Sequence, residues 1–171
     1  MAGAYEATKY LIQNGHRKII HLAGNTKKAP TSDRINGYKK ALKDFNIPYD
    51  KNYLIKVDFQ QTVSYDKIKA CIDSKMDFTA VFAANDDMAL GAVEAIKEKG
   101  LKIPEDISII GYDDTILAKL TNFSSIKAHV EDMAEILVNN LIKIVEDDTR
   151  VSPTFTVDSE LVIRDSIKKL N

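Results

Sequence analysis

Apolar positions along the chain alternate between two spacings. Ala4, Ala7, Tyr10 and Leu11 recur at helical spacing, and Gly15 ends that helix as a left-handed cap. The run from Lys18 to Ala23, KIIHLA, is short, apolar and bounded by Gly24, which predicts a buried strand. A second helix follows, capped by Thr31 or Ser32, with the stripe Ile35, Tyr38, Leu42 and Phe45; Asn46 and Pro48 stop it. Tyr53 to Val57 reads as a second strand and Val63 to Ile72 as a third helix. Ala80 to Ala84 is a third strand, and Asp86 then caps a helix striped by Ala89, Ala92, Val93 and Ile96 that ends at Gly100. Ile107 to Tyr112 is a fourth strand.

Strands this short and apolar, each separated from the next by a helix, pair in parallel and are covered on both faces. The pattern therefore predicts an α/β fold, a parallel sheet flanked by helices on both faces. Residues 114–128 interrupt the rhythm with Thr121, Asn122, Ser124 and Ser125. A long helix follows from about His129 to Glu146, its apolar face formed by Val130, Met133, Leu137, Val138, Leu141 and Val145. The tail from Thr154 to Arg164 alternates and reads as a strand or a hairpin turning at Asp158–Ser159.

Composition narrows the function. The 171 residues carry a net charge of −1, which argues against bulk electrostatic binding of nucleic acid. Charge is uneven: the first 60 residues hold 11 Lys/Arg against 5 Asp/Glu, and the remainder 13 against 20. Lys27, Lys28, Lys39, Lys40 and Lys43 make the front basic, but no aromatics are interleaved with them as a nucleic-acid platform needs. The single Cys71 can make no internal disulfide, which fits a reducing compartment. No apolar run is long enough to span a membrane, and no basic-then-apolar signal opens the sequence.

In a parallel sheet of this kind, ligands bind beyond the carboxyl ends of the strands. After the first strand the chain offers Thr31, Ser32, Asp33 and Arg34; after the second, Asp58, Phe59, Gln60 and Gln61. After the third come Asn85, Asp86 and Asp87, and after the fourth Asp113 and Asp114. An Arg, an aromatic, an amide and carboxylates thus meet at one edge. Such a set suits a small polyhydroxylated ligand, because carboxylates accept from hydroxyls, Arg and Asn donate, and a ring covers the apolar side. Each residue also has a local reading: Asn85 or Asp86 caps its helix, Asp114 caps the next turn, Phe59 packs on its own helix, and Arg34 lies on the surface.

Other chemistry is sparse. His16, His21 and His129 lack metal-ligand spacing and a partnered nucleophile. Neither GxGxxG nor GxxxxGK[ST] can be written, so no phosphate loop is expected. The pairs Asp86–Asp87 and Asp113–Asp114 leave a Mg2+-dependent enzyme as a rival reading.

Five stretches resemble the effector-binding region of the LacI/GalR family of bacterial transcription regulators: GAYEATKYLIQNGHRKIIHLAG, SDRINGYKKAL, FAANDDMALGAVEAIKEKGLKIPEDISIIGYDD, SSIKAHVEDMAEILVNNLI and ELVIRDS. They span nearly the whole chain in the family's order. The resemblance implies one lobe of a periplasmic-binding-protein-like type I fold. Residues 2–120 with 151–166 would form the C-terminal lobe. Residues 124–148 would be a crossover segment and a helix belonging to the N-terminal lobe, otherwise missing here together with the helix-turn-helix domain. Arg34, Asn85 and Asp113 match the family's ligand-contacting positions, and Phe59 matches by its place after the second strand. Pro30 stands where the family often has a small hydroxyl residue. The implied protein is a cytoplasmic sensor of a sugar or similar small polar ligand. It would be a homodimer and not an enzyme, need no cofactor or metal, touch no membrane, and reach operator DNA only through the missing domain. Its dimer contacts are expected around the helix from Asp86 and the segment Thr115–Leu120. The alternative is a fragment of a periplasmic-type sugar-binding protein for transport.

Overall fold

A computed structural model describes residues 1–24, 29–147 and 157–170. Its elements follow in the order α1 (Ala2–Gln13), β1 (Ile19–Ala23), α2 (Ala29–Asp44), β2 (Leu54–Lys56), α3 (Gln61–Asp73), β3 (Ala80–Ala83) and α4 (Asp86–Glu98). They continue with β4 (Ser108–Asp113), α5 (Ile116–Thr121), β5 (Ser124–Ala128), α6 (Val130–Asp147) and β6 (Ser159–Val162). The strands form one six-stranded sheet in the order β2-β1-β3-β4-β5-β6. All neighbours pair in parallel except β5 and β6, which run antiparallel.

Burial explains the continuous apolar runs. Along β1, Ile19 joins a core with Ala4, Leu11 and Tyr38, while the next residue, Ile20, joins Ile68, Met88 and Ile96 on the opposite face. Both faces of the central strands are therefore covered, by α1 and α2 on one side and α3 and α4 on the other. Alternation cannot show in a strand that has no wet face.

Several expectations are corrected. Residues 114–128 are not irregular: they form α5 and the inner strand β5. Ser124 and Ser125 are fully buried there because their hydroxyls are bonded, Ser124 with the Arg164 backbone and Ser125 with Asp86. Residues 124–128 thus lie within this sheet. Helix α2 begins at Ala29, ahead of Thr31 and Ser32, with Pro30 in its first turn, where a missing N–H costs nothing. Phe45 leaves the buried stripe and is 37% exposed. Asn85, not Asp86, caps α4, its Oδ1 accepting from Met88 N at 2.9 Å. Thr115, not Asp114, caps α5. The tail forms β6 from Ser159, and Thr154–Thr156 lie outside the described residues. Helix α6 leaves Leu137, Leu141 and Val145 exposed to solvent.

Candidate functional site at the carboxyl edge of the sheet

Helix α2 carries Arg34 over the ends of β3 and β4. Its Nη1 donates to the Ala84 carbonyl at 2.5 Å, and its Nη2 reaches Asp113 Oδ1 at 3.3 Å. Its Cζ lies 3.9 Å from the centre of the Tyr112 ring. The planar fork is thus held on three sides. The Arg34 side chain is 16% exposed and that of Asp113 is 36%, so the carboxylate is the more open member of the pair. Burial raises the Asp113 carboxyl above its ordinary range; Arg34 opposes the rise, and Asp86 and Asp87 add to it.

Asn85 follows directly on Ala84, whose carbonyl Arg34 holds. Its side-chain oxygen is committed to the α4 cap, which leaves its amide NH2 as the group able to donate to a ligand. Phe59 stands at the same edge, half-buried, with φ of 55°. Its ring lies on Gly24 at the end of β1, where an added Cβ would fall 1.9 Å from the ring's Cζ. The structure therefore joins Arg34 and Asp113 directly, sets Asn85 beside them, and places Phe59 on Gly24 along the same edge.

Other groups at this edge have structural partners. Asp114 Oδ1 lies 2.7 Å from Arg164 Nη2, an ion pair outside good hydrogen-bond alignment. Asp86 is buried and accepts from Thr115 and Ser125; burial pushes its carboxyl up, and those hydrogen bonds pull against the shift. Among the described residues, no three His, Cys, Asp or Glu side chains converge as a metal site would need. A cavity of about 370 Å3 opens beside Arg34, lined among others by Pro30, Tyr112, His129, Met133 and Ser159.

The sequence reading overlooked Tyr112 and the hydrogen-bond partners of Asp86. Tyr112 was discoverable: Ile110 and Tyr112 share one face of β4, the face covered by α1 and α2. The partners of Asp86 lie on two other elements, and no local pattern marks them.

The fold is that of one α/β lobe, a helix-covered parallel sheet with its polar groups gathered at the carboxyl edge. The periplasmic binding protein-like domain matches residues 8–167, and the chain belongs to that family. The chain is 42% identical over 177 residues to the HTH-type transcriptional repressor PurR of Vibrio vulnificus, covering 99% of this chain and 51% of that protein. It superposes on a transcriptional regulator CelR–cellobiose complex with a TM-score of 0.91 at 29% identity, over 96% of this chain and 51% of that one. A LacI-family regulator from Enterococcus faecium with bound ribose gives 0.87 at 26% identity, over 98% and 63%. The chain spans about half the length of the curated relatives it matches. Among the described residues no helix is long and apolar enough to cross a membrane.

Proposed function

We propose that this chain is the effector-sensing lobe of a LacI-type transcription regulator and that its ligand is a small polyhydroxylated molecule. The observation that carries the reading is the Arg34–Asp113 pair, clamped by Ala84 and Tyr112 at the carboxyl edge of the sheet. The guanidinium and the Asn85 amide donate to ligand oxygens, Asp113 accepts from hydroxyls, and the Phe59 ring covers an apolar face. The cellobiose and ribose complexes of structural relatives favour a sugar. Such a site binds and releases, and the repressors found among the relatives support a binding role over a catalytic one. Regulation follows from differential affinity of the ligand for two lobe arrangements.

In the whole protein, the sheet from β1 to β6, with β5 inside it, forms this lobe, and α6 packs on the N-terminal lobe. The whole protein is a cytoplasmic homodimer that meets operator DNA through a further domain. Exposed Ile116 and Leu120 on α5 support a dimer contact there. The regulators found as relatives favour this reading over a transport receptor. The test is an NMR titration of the chain with ribose and cellobiose, which detects weak binding to a single lobe. Saturable shifts of the Arg34 side-chain and Asn85 amide signals are expected. A flat response to both, and to a wider set of pentoses, hexoses and disaccharides, would overturn the sugar reading.

A further inference from the structure

Asp113 and Asp114 form a corner between β4 and α5 with φ of 101° and 51°. Two consecutive non-glycine residues hold such angles only where the surroundings fix them. The surroundings here converge on one carboxylate. Asp86 Oδ2 accepts from Thr115 N at 2.6 Å and from Thr115 Oγ1 at 2.9 Å. Asp86 Oδ1 accepts from Ser125 Oγ at 2.7 Å, and that hydroxyl accepts from Asp114 N at 3.1 Å. Both peptide N–H groups that follow Asp113 therefore end on Asp86, one directly and one through a single hydroxyl.

We propose that Asp86 is a positioning residue for the ligand site, a buried brace that sets where the Asp113 carboxylate stands relative to Arg34. Asp86 is 1% exposed, and Asn85 already serves as the α4 cap. All three of its bonds reach residues outside its own helix. The approach is close: a Cβ on Gly111 would fall 2.3 Å from Asp86 Oδ1. A buried carboxylate is a poor source of bulk stability, since desolvation offsets its bonds. Its three directed bonds instead impose geometry, and the geometry they impose is that of the corner bearing Asp113. Ser125 extends the brace to β5, the strand leading to α6, so the corner, the ligand carboxylate and β5 share one anchor.

The inference rests on Arg34 and Asp113 as the ligand pair, and its test reads the brace without a ligand. Amide hydrogen exchange and the Arg34 Nε–H resonance are compared in the wild type, Asp86→Ala and Asp86→Asn, all in the full chain. Asp86→Ala should speed exchange at Asp114 and Thr115 about tenfold or more and shift the Arg34 signal, with Ile20 and Phe82 unchanged. Asp86→Asn keeps an acceptor for Thr115 and should restore part of the protection. Wild-type exchange at the corner, or loss spread equally through β1 and β3, would overturn the proposal. Should Asp86→Ala fail to fold, Ser125→Ala and Asp86→Asn carry the same comparison. Titration with ribose and cellobiose separates the two claims. A loosened corner in a protein whose wild type binds neither these sugars nor the wider set supports the brace and removes the sugar reading. Undiminished sugar affinity in Asp86→Ala despite a loosened corner overturns the positioning role.

Discussion

The guanidinium of Arg34 lies 3.9 Å over the Tyr112 ring while donating to the Ala84 carbonyl at 2.5 Å. Stacking and donation need a planar group, and an ammonium offers only a point charge. Arg34→Lys should therefore weaken ribose or cellobiose binding about tenfold or more, through loss of the fork and its stack, each worth about 1 kcal/mol or more. Calorimetry or NMR titration checks this. Equal affinity in the Lys variant would remove Arg34 from the site.

Asp113 is the open half of the pair, so its charge is available to a ligand. Asp113→Asn tolerates positive φ as Asp does and keeps the shape, while removing the strong acceptor. Sugar affinity should fall by at least about tenfold, with stability changed by no more than about 1 kcal/mol. Titration together with thermal unfolding separates the two effects. A variant that binds as well as the wild type would sink the assignment of Asp113.

Gly24 is the seat of Phe59. A Cβ at Gly24 would fall 1.9 Å from the ring, so Gly24→Ala must push Phe59 off the edge. Moving a half-buried ring should cost about 1–3 kcal/mol of stability. It should weaken sugar binding as much as Phe59→Ala does. Additive losses in the double variant would show that the two residues act separately.

How far the sequence spoke depended on where each residue's partner sits. KIIHLA, AVFAA and ISIIGY were legible as strands because burial on both faces keeps them apolar. SSIKA was not, since Ser124 and Ser125 satisfy their hydroxyls with residues 40 and 39 positions away. That Arg34, Asn85 and Asp113 gather at one edge was legible because they follow strand ends. Asp86 was visible only as a candidate cap, because the three groups it holds come from Thr115 and Ser125.

Helix α6 predicts association. Leu137, Leu141 and Val145 are 65%, 62% and 75% exposed along one stripe. A continuous apolar face of this size marks a contact surface. Sedimentation should show the chain self-associating at tens of micromolar, and Leu141→Glu with Val145→Glu should return it to a monomer without lowering its unfolding temperature. A monomeric wild type with α6 frayed in hydrogen exchange would refute this.

His21 gives a pH dependence with a definite sign. Its ring is fully buried in β1, stacked on Phe82 at 4.6 Å, and its Nδ1 lies 3.0 Å from the Phe82 carbonyl. Among the described residues Nε2 has no hydrogen-bond partner. The ring is thus held neutral with its proton on Nδ1, and burial lowers its pKa from 6.5 to about 4. The unfolded chain takes up a proton near pH 6.5, whereas the folded chain does so only near pH 4. Between those values the unfolded state binds more protons, so stability is full above pH 6.5 and falls as pH drops toward 4. The whole window is worth about 3 kcal/mol, at about 1.4 kcal/mol per pH unit. His16, also lowered by burial, acts in the same direction. Asp86 and Asp113, raised by burial, act in the opposite one as they approach their own protonation. Comparing the wild type with His21→Phe cancels those three contributions. Denaturant unfolding from pH 7.5 to 5 should show a steeper loss in the wild type than in the Phe variant, whatever their absolute stabilities. Parallel profiles would mean that burial does not hold the folded His21 ring neutral, and would refute this pH dependence.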